Sequence, residues 1–237
     1  MTRLSVNLNK VALLRNSRGS NFPNLIEVAK DCERFGAQGI TVHPRPDERH
    51  CKFSDLPLLK EICTTEFNIE GYPDAHFLNE VIKVKPHQCT LVPDDPNQLT
   101  SDHGWNTIKE KDFLKDVIQT LKANNIRVSL FIDADKNLIE GAAALGAERI
   151  EYYTGPYAKQ YPLDKIAAIK EIKETCAFAV QCGLGINAGH DLNLENLTYL
   201  KNNLVQLDEV SIGHALIADA LYFGLENTIR LYLNKLA

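Results

Sequence analysis

The chain contains no run of roughly 18 apolar residues, the length a helix needs to cross a bilayer. Its start, Met1-Thr2-Arg3-Leu4-Ser5-Val6-Asn7, moves from one basic residue straight into a strand-like pattern without the apolar stretch of a signal peptide. It has no CxxC pair either. The six cysteines, at 32, 51, 63, 89, 176 and 182, are too sparse for a disulfide scaffold and read as reduced thiols of a cytoplasmic protein. A long basic run is also missing, and 26 Lys plus Arg against 31 Asp plus Glu leave a net charge of -5, which argues against nucleic acid as the main partner. Any anionic ligand must then be held by a local site. Neither HxH nor HExxH occurs, which weighs against a zinc enzyme.

What is present is 237 residues with 44% hydrophobic content, enough to bury a sizeable core, and the chain reads as a single domain over residues 1–237. Periodicity and turn signals predict strands at Leu4 to Asn9, Gly39 to His43, Phe67 to Gly71, His87 to Val92, Arg127 to Asp133, Ala147 to Tyr153, Leu184 to His190 and Leu207 to Ile212. Helices are expected at Asn24 to Phe35, Ser54 to Ile62, Asp74 to Lys83, Ile108 to Asn124, Asp135 to Leu145, Pro162 to Thr175, Leu194 to Lys201 and Ala215 to Leu236. The stretch carrying Arg15, Arg18 and Gly19 reads as a loop. Pro93 to Trp105 reads as a polar loop outside the core, long enough to serve as a lid, and Cys176 to Cys182 fits either a helix extension or a strand. Eight alternations predict an α/β fold, a (β/α)8 TIM barrel with additional helices. A doubly wound sheet shares the alternation, and a ninth strand at 177–181 would break the barrel reading.

If the strands are parallel, their carboxyl ends bring Asn7, His43, Glu70, Asp133, Glu151, His190 and Gly213-His214 to one rim, the place where such folds bind ligands. Glu70, at the end of an apolar strand, loses hydration; that raises its proton affinity and suits it to proton transfer. His43 and His190 can donate or accept a proton near neutral pH, and Glu151 could stabilise a cationic intermediate. Each has a plain structural counterpart: a loop-ordering histidine, a helix cap or internal salt bridge, a satisfied core histidine, a partner for a neighbouring cation. Gly189, Asp191 and Gly213-His214, at a helix start, form a candidate phosphate cradle with Arg18, provided Asp191 turns its carboxylate away. Arg45, Arg49 and His50 form a second cationic patch, unless the arginines merely pair with Asp47 and Glu48 at the surface. Two patches imply two phosphates or one diphosphate. Chemistry alone also leaves open a metal-dependent barrel using His43, His190, His214, Glu70 or Asp133.

Several stretches, in order along nearly the whole chain, resemble the pyridoxine 5'-phosphate synthase family. They are Val6-Asn7, Leu14-Arg15-Asn16 with Arg18-Gly19, Gly39 to His43 with Arg45 and His50, Asn68-Ile69-Glu70, Cys89 to Pro93, Val128 to Asp135, Ile150-Glu151 with Thr154-Gly155, Asn187 to His190, and Ile212 to Ala215. The resemblance implies a TIM barrel assembled as a homo-octamer built from dimers. It implies two small phosphorylated substrates, 1-deoxy-D-xylulose 5-phosphate and 3-amino-2-oxopropyl phosphate, with no metal and no cofactor. It assigns acid/base roles to His43 and Glu70, proton donation to His190 and charge stabilisation to Glu151. Asn7, Arg18 and Gly213-His214 would hold the aminoketone phosphate; Arg45, His50 and Thr100 would hold the sugar phosphate. The chain departs from the family pattern at Asn9-Lys10, where Asp-His is usual, and at Asp191, where glycine is usual. Lys10 is expected to replace the histidine as a donor to the sugar phosphate.

Overall fold

The computed structural model describes residues 1–94 and 101–237. Eight parallel strands close into a barrel in chain order: β1 (Arg3–Asn7), β2 (Gly39–Val42), β3 (Glu66–Gly71), β4 (Gln88–Leu91), β5 (Arg127–Ile132), β6 (Arg149–Tyr153), β7 (Gly185–Gly189) and β8 (Glu209–Ile212). The ends meet where Arg3 to Val6 of β1 pair with Glu209 to Ile212 of β8. Each strand alternates. Leu4, Val6, Ile40, Val42, Phe67, Ile69, Val128, Leu130, Ile150, Ile186 and Val210 are fully buried in the main apolar cluster, which the surrounding helices cover.

The other face of each strand departs from the branched aliphatic packing usual inside such barrels. Ser5 and Thr41 share a hydrogen bond of 2.7 Å; Asn68 Nδ2 donates to Thr41 Oγ1 at 3.4 Å, Thr90 Oγ1 to Asn68 Oδ1 at 3.1 Å, and Gln88 Nε2 to Thr90 Oγ1 at 3.3 Å. Since most buried polar groups are paired, this cross-strand ladder lets the β1 to β4 side of the barrel interior be polar.

Around it, in chain order, lie α1 (Asn9–Asn16), α2 (Leu25–Arg34), α3 (Asp55–Ile62), α4 (Ala75–Val84), α5 (Lys111–Ala123), α6 (Lys136–Ala144), α7 (Gly155–Gln160), α8 (Lys165–Gln181), α9 (Leu197–Asn203), α10 (His214–Phe223) and α11 (Leu225–Leu236). Asn24, Asp74, Asp135 and Asp164 cap α2, α4, α6 and α8 through side-chain oxygens that accept N–H groups of the first turn.

Three expectations change and one open reading is settled. The first strand stops at Asn7, and α1 occupies what reads as a loop. Its buried face is Val11, Ala12 and Arg15, so an arginine stands where the helical pattern would show an apolar residue; Asp55 neutralises it through two hydrogen bonds of 2.8 and 2.9 Å. Residues 176–181 continue α8, with Ile169, Ile172, Cys176 and Ala179 on one buried face, so no ninth strand forms. The last helix breaks at Gly224, whose φ of +75° only glycine adopts freely. Finally, Trp105 is buried and stacks on Tyr72 at 5.8 Å, so the end of the 93–105 loop belongs to the core. The expected lid otherwise falls largely on residues 95–100, which lie outside the described residues.

Candidate active site

Glu70 sits one residue before the end of β3 and points into this polar interior. Its Oε2 accepts Asn7 Nδ2 at 3.3 Å, its Oε1 accepts Ser211 Oγ at 3.5 Å, and His43 Nδ1 lies 3.9 Å away. Burial pushes its pKa up to about 8; Asp94 adds to the rise, and Arg45 opposes it. At neutral pH the unliganded carboxyl is therefore mostly a proton donor, and it becomes a base once a cation reaches it. Glu151, in the middle of β6, is pushed well above the usual carboxylate range by burial and then by the charges of Glu70 and Glu209. Its Oε2 is buried without a hydrogen-bond partner.

His43 follows β2 directly, and its backbone N–H donates to Asn9 Oδ1 at 2.9 Å, while Asn9 N–H donates to Asn7 Oδ1 at 3.0 Å. The first turn of α1 thus fixes the end of β2 against β1. Burial holds the His43 imidazole well below its usual pKa, reinforced by Arg45, His50, His190 and Arg49. It is a neutral ring between Glu70 and Asp94, with Nε2 4.0 Å from Asp94 Oδ2.

His190 follows β7 with φ +77°, and Asp191 continues in the left-handed region at +57°. Two successive non-glycine residues there are strained, and the glycine usual in the resembling family would relieve the second. His190 packs against Phe131 and Tyr153, with ring centroids 5.2 and 5.6 Å apart, and burial lowers its pKa. Asp191 is exposed, and its carbonyl accepts Asn196 Nδ2 at 3.1 Å. Gly189 also serves a contact within the barrel: a Cβ there would collide with Glu151 Oε1, so glycine admits the buried carboxylate against β7.

The cationic side is built from the β2–α3 loop and α1. Arg45 is buried and donates to Asp94 Oδ2 at 2.7 Å; Arg49 makes the surface pair with Asp47, at 3.1 Å. His50 is buried, and its pKa falls to about 4 because of burial first, then Lys10, Arg49 and Arg45. Lys10, half-buried in the first turn of α1, thus faces the same space. Asn16 Nδ2 lies 3.2, 3.1 and 2.7 Å from the carbonyls of Glu48, Arg49 and His50, which ties this loop to α1.

Gly213 is the N-cap of α10. Ile217 N–H is bonded back to its carbonyl at 3.0 Å, so the preceding N–H groups point out of the helix end, as an anion site requires. A Cβ on Gly213 would come within 3.1 Å of Asn7 Cβ, which places Asn7 against that helix end. His214 is exposed beside it. Arg18 is exposed in the turn after α1 and, among the described residues, makes no side-chain hydrogen bond or ion pair with the site. Thr100 lies outside the described residues, and Asp133 accepts Gly104 N–H at 3.1 Å.

The structure thus gathers Asn7, Asn9, Lys10, His43, Arg45, His50, Glu70 and His190 at the carboxyl ends of the strands, with Glu151 deeper in the barrel. Sequence reasoning missed Asp94 and Ser211. It also gave no role to Thr154, whose hydroxyl donates to the carbonyls of Gly189 and His190 and ties β6 to the strained turn. An acidic residue directly after Leu91-Val92-Pro93 was the available signal for Asp94. Among the described residues, no group of three or more His, Cys, Asp or Glu side chains is arranged to hold a metal ion.

The profile of one family, described as pyridoxal phosphate biosynthesis protein PdxJ, matches residues 4–237. The chain is 60% identical over 236 residues to the pyridoxine 5'-phosphate synthase of Cytophaga hutchinsonii, covering 100% of this chain and 99% of that one. It is 58% identical to the Bacteroides fragilis protein of the same name, with 100% of both covered. Among solved structures, 3-keto-L-gulonate-6-phosphate decarboxylase from Vibrio cholerae superposes with a TM-score of 0.68 at 8% identity, covering 99% of this chain and 97% of that one. Thiamine phosphate pyrophosphorylase from Pyrococcus furiosus gives 0.64 at 11% identity, covering 99% and 95%. At such identities these two likenesses concern the barrel alone.

Proposed function

The chain belongs to the PdxJ family of pyridoxal phosphate biosynthesis proteins, and from that premise we propose that it is a pyridoxine 5'-phosphate synthase. It joins 1-deoxy-D-xylulose 5-phosphate to 3-amino-2-oxopropyl phosphate, giving pyridoxine 5'-phosphate, inorganic phosphate and water. The observation that carries this reading is Glu70, a buried carboxyl whose proton affinity is raised, 3.9 Å from the neutral imidazole of His43, with the cationic groups Arg45 and Lys10, and His50, gathered at the same end of the barrel.

The reaction needs an acid and a base in turn, and one group of shifted pKa can serve as both. The substrate amine attacks the sugar ketone, and the neutral Glu70 carboxyl can help water leave the carbinolamine. As carboxylate it then takes a carbon-bound proton, giving an enamine that loses the hydroxyl next to the phosphate-bearing carbon as water, and a further proton shift restores an enamine that expels phosphate. After water adds, the enamine carbon attacks the second carbonyl, and His43 and His190 carry the protons for ring closure and dehydration. Glu151, whose Oε2 has no partner, faces the cationic intermediates. No lysine Schiff base is required, because the substrate brings its own amine, and aromatisation drives the last step without an electron acceptor.

Asn7, Arg18 and the α10 start with Gly213 and His214 are assigned to the aminoketone phosphate; Lys10, Arg45, His50 and Thr100 are assigned to the sugar phosphate. Leu221 and Tyr222 are 78% and 86% exposed at the end of α10, an apolar surface suited to contact between copies. It supports the homo-octamer of dimers that the family resemblance implies, which light scattering of the purified protein would test. The test of function is incubation with both phosphates, followed by detection of pyridoxine 5'-phosphate and released phosphate. Enzyme treated with a chelator should keep full activity. Failure to form product from these two substrates overturns the reading.

A further inference from the structure

Asp94 is a third carboxylate of the pocket, and nothing in the chemistry above uses it. It lies three residues beyond β4, is 4% exposed, and has two oxygens in different situations. Oδ2 is crowded: it accepts Arg45 Nη2 and Ser101 Oγ, both at 2.7 Å, and lies 4.0 Å from His43 Nε2. Oδ1 is buried with no hydrogen-bond partner. An unsatisfied buried acceptor costs about 1–3 kcal/mol. Such an atom beside a phosphate-binding guanidinium is the mark of a site whose remaining donor arrives with the ligand.

The two substrates differ in what they offer there. The carbon next to the phosphate-bearing carbon is a carbonyl in the aminoketone, which has no hydrogen to donate. In 1-deoxy-D-xylulose 5-phosphate the same position carries a hydroxyl. With Arg45 holding the sugar phosphate, that hydroxyl lies one bond further into the pocket.

Building on the synthase reading, we propose that Asp94 is a substrate-binding residue of this site. Its Oδ2 stations Arg45, and its Oδ1 accepts the hydrogen of the sugar hydroxyl next to the phosphate-bearing carbon. Asp94 thereby selects the hydroxylated sugar phosphate for this wall of the pocket. A site built to hydrogen-bond a hydroxyl rejects the analogue that lacks it far more strongly than an apolar pocket would. The charge of Asp94 also contributes to the high proton affinity of Glu70.

The test compares binding of 1-deoxy-D-xylulose 5-phosphate with its analogue lacking that one hydroxyl, by calorimetry on the wild-type enzyme and on D94A. The wild type is expected to bind the analogue at least ~10-fold more weakly, and D94A to bind the two alike. D94A that keeps the wild-type preference overturns the proposal. If D94A does not fold, the wild type alone decides: equal affinity for sugar and analogue also overturns it. In folded D94A the Glu70-dependent limb of the kcat/KM profile should move to lower pH, a change that a purely structural defect would not produce. Product formation by the wild type is scored separately. An enzyme that makes pyridoxine 5'-phosphate yet ignores the missing hydroxyl sinks only the Asp94 assignment, whereas one that makes no product sinks the synthase reading.

Discussion

The two mouths of the barrel place different partners around their carboxylates. At the amino-terminal mouth Glu66 is flanked by Arg3 at 2.9 Å and by a hydrogen bond from Arg127. Arg127 Nε also donates to Gln88 Oε1 at 3.0 Å, Arg149 to Asn187 at 2.9 Å, and Glu209 lies 3.9 Å from Arg3. At the carboxyl-terminal mouth Glu70 is served by Asn7, Ser211 and His43, while the Arg45 guanidinium is committed to Asp94. Glu66 is held by two guanidiniums, whereas Glu70, given neutral donors, has its proton affinity raised and becomes available for chemistry; burial raises Glu209 as well, to about 7, against the opposing charges of Arg3, Arg149 and Arg127.

The sharpest way to break this contrast is at Glu70. E70Q keeps the size and can still accept from Asn7 through its one amide oxygen, but cannot exchange a proton; kcat should fall by at least ~10³, within the range for losing a positioned acid/base group, while phosphate binding persists. Turnover at the wild-type rate would end the assignment. The same variant should be more stable than wild type. Because the folded pKa of Glu70 is raised, its contribution to stability is complete below the unfolded value of 4.5 and is lost as pH rises towards about 8. E70Q should therefore gain several degrees in Tm at pH 8, and less at pH 5.

At the other mouth the expected effect is on stability. E66A strips Arg3 and Arg127 of their carboxylate and should cost roughly 2–4 kcal/mol, towards the low end for a broken buried pair because both guanidiniums are partly exposed. Its kcat per folded molecule should stay within about two-fold of wild type, since this mouth holds no site residue. A large loss of kcat at unchanged stability would show that the two mouths are not separate.

The histidines give a smaller, opposite pH effect. Burial lowers the pKa values of His43, His50 and His190 in the folded protein, so their contribution is present above the unfolded value of 6.5 and is lost as pH falls towards about 4, where His50 titrates. Denaturant titrations from pH 7 to 4.5 should show H50N losing less stability than wild type; parallel slopes would remove His50 from the account. The smallest change is K10A. It should raise KM for the sugar phosphate by roughly 10-fold or less, the scale of one partly exposed charged contact, and leave KM for the aminoketone phosphate unchanged. An unchanged dependence on both substrates would reject Lys10.

Much of this architecture is legible from the chain because it is written in local periodicity. The run Gly39 to Val42 leading into His43, or Ile69 before Glu70, announces a strand that ends in chemistry whatever surrounds it. The family motifs carry the candidate residues with them. Two of the misread segments share one cause, a local pattern overridden by a distant partner. Helix α1 is disguised by Arg15, whose burial makes sense only with Asp55, 40 positions away. Asp94 looks like one more acidic loop residue until Arg45, 49 positions earlier, is seen to donate to it.

By itself, then, the sequence determined the number and order of the strands, their apolar outer faces and the capped helix starts, because each rests on interactions within a few residues. Only the tertiary structure decided that the β1 to β4 side of the barrel interior is polar, that Gly189 makes room for Glu151, and which carboxylates are neutralised and which retain protons. Those outcomes depend on desolvation and on charges brought together from different strands, and neither quantity exists until the barrel has closed.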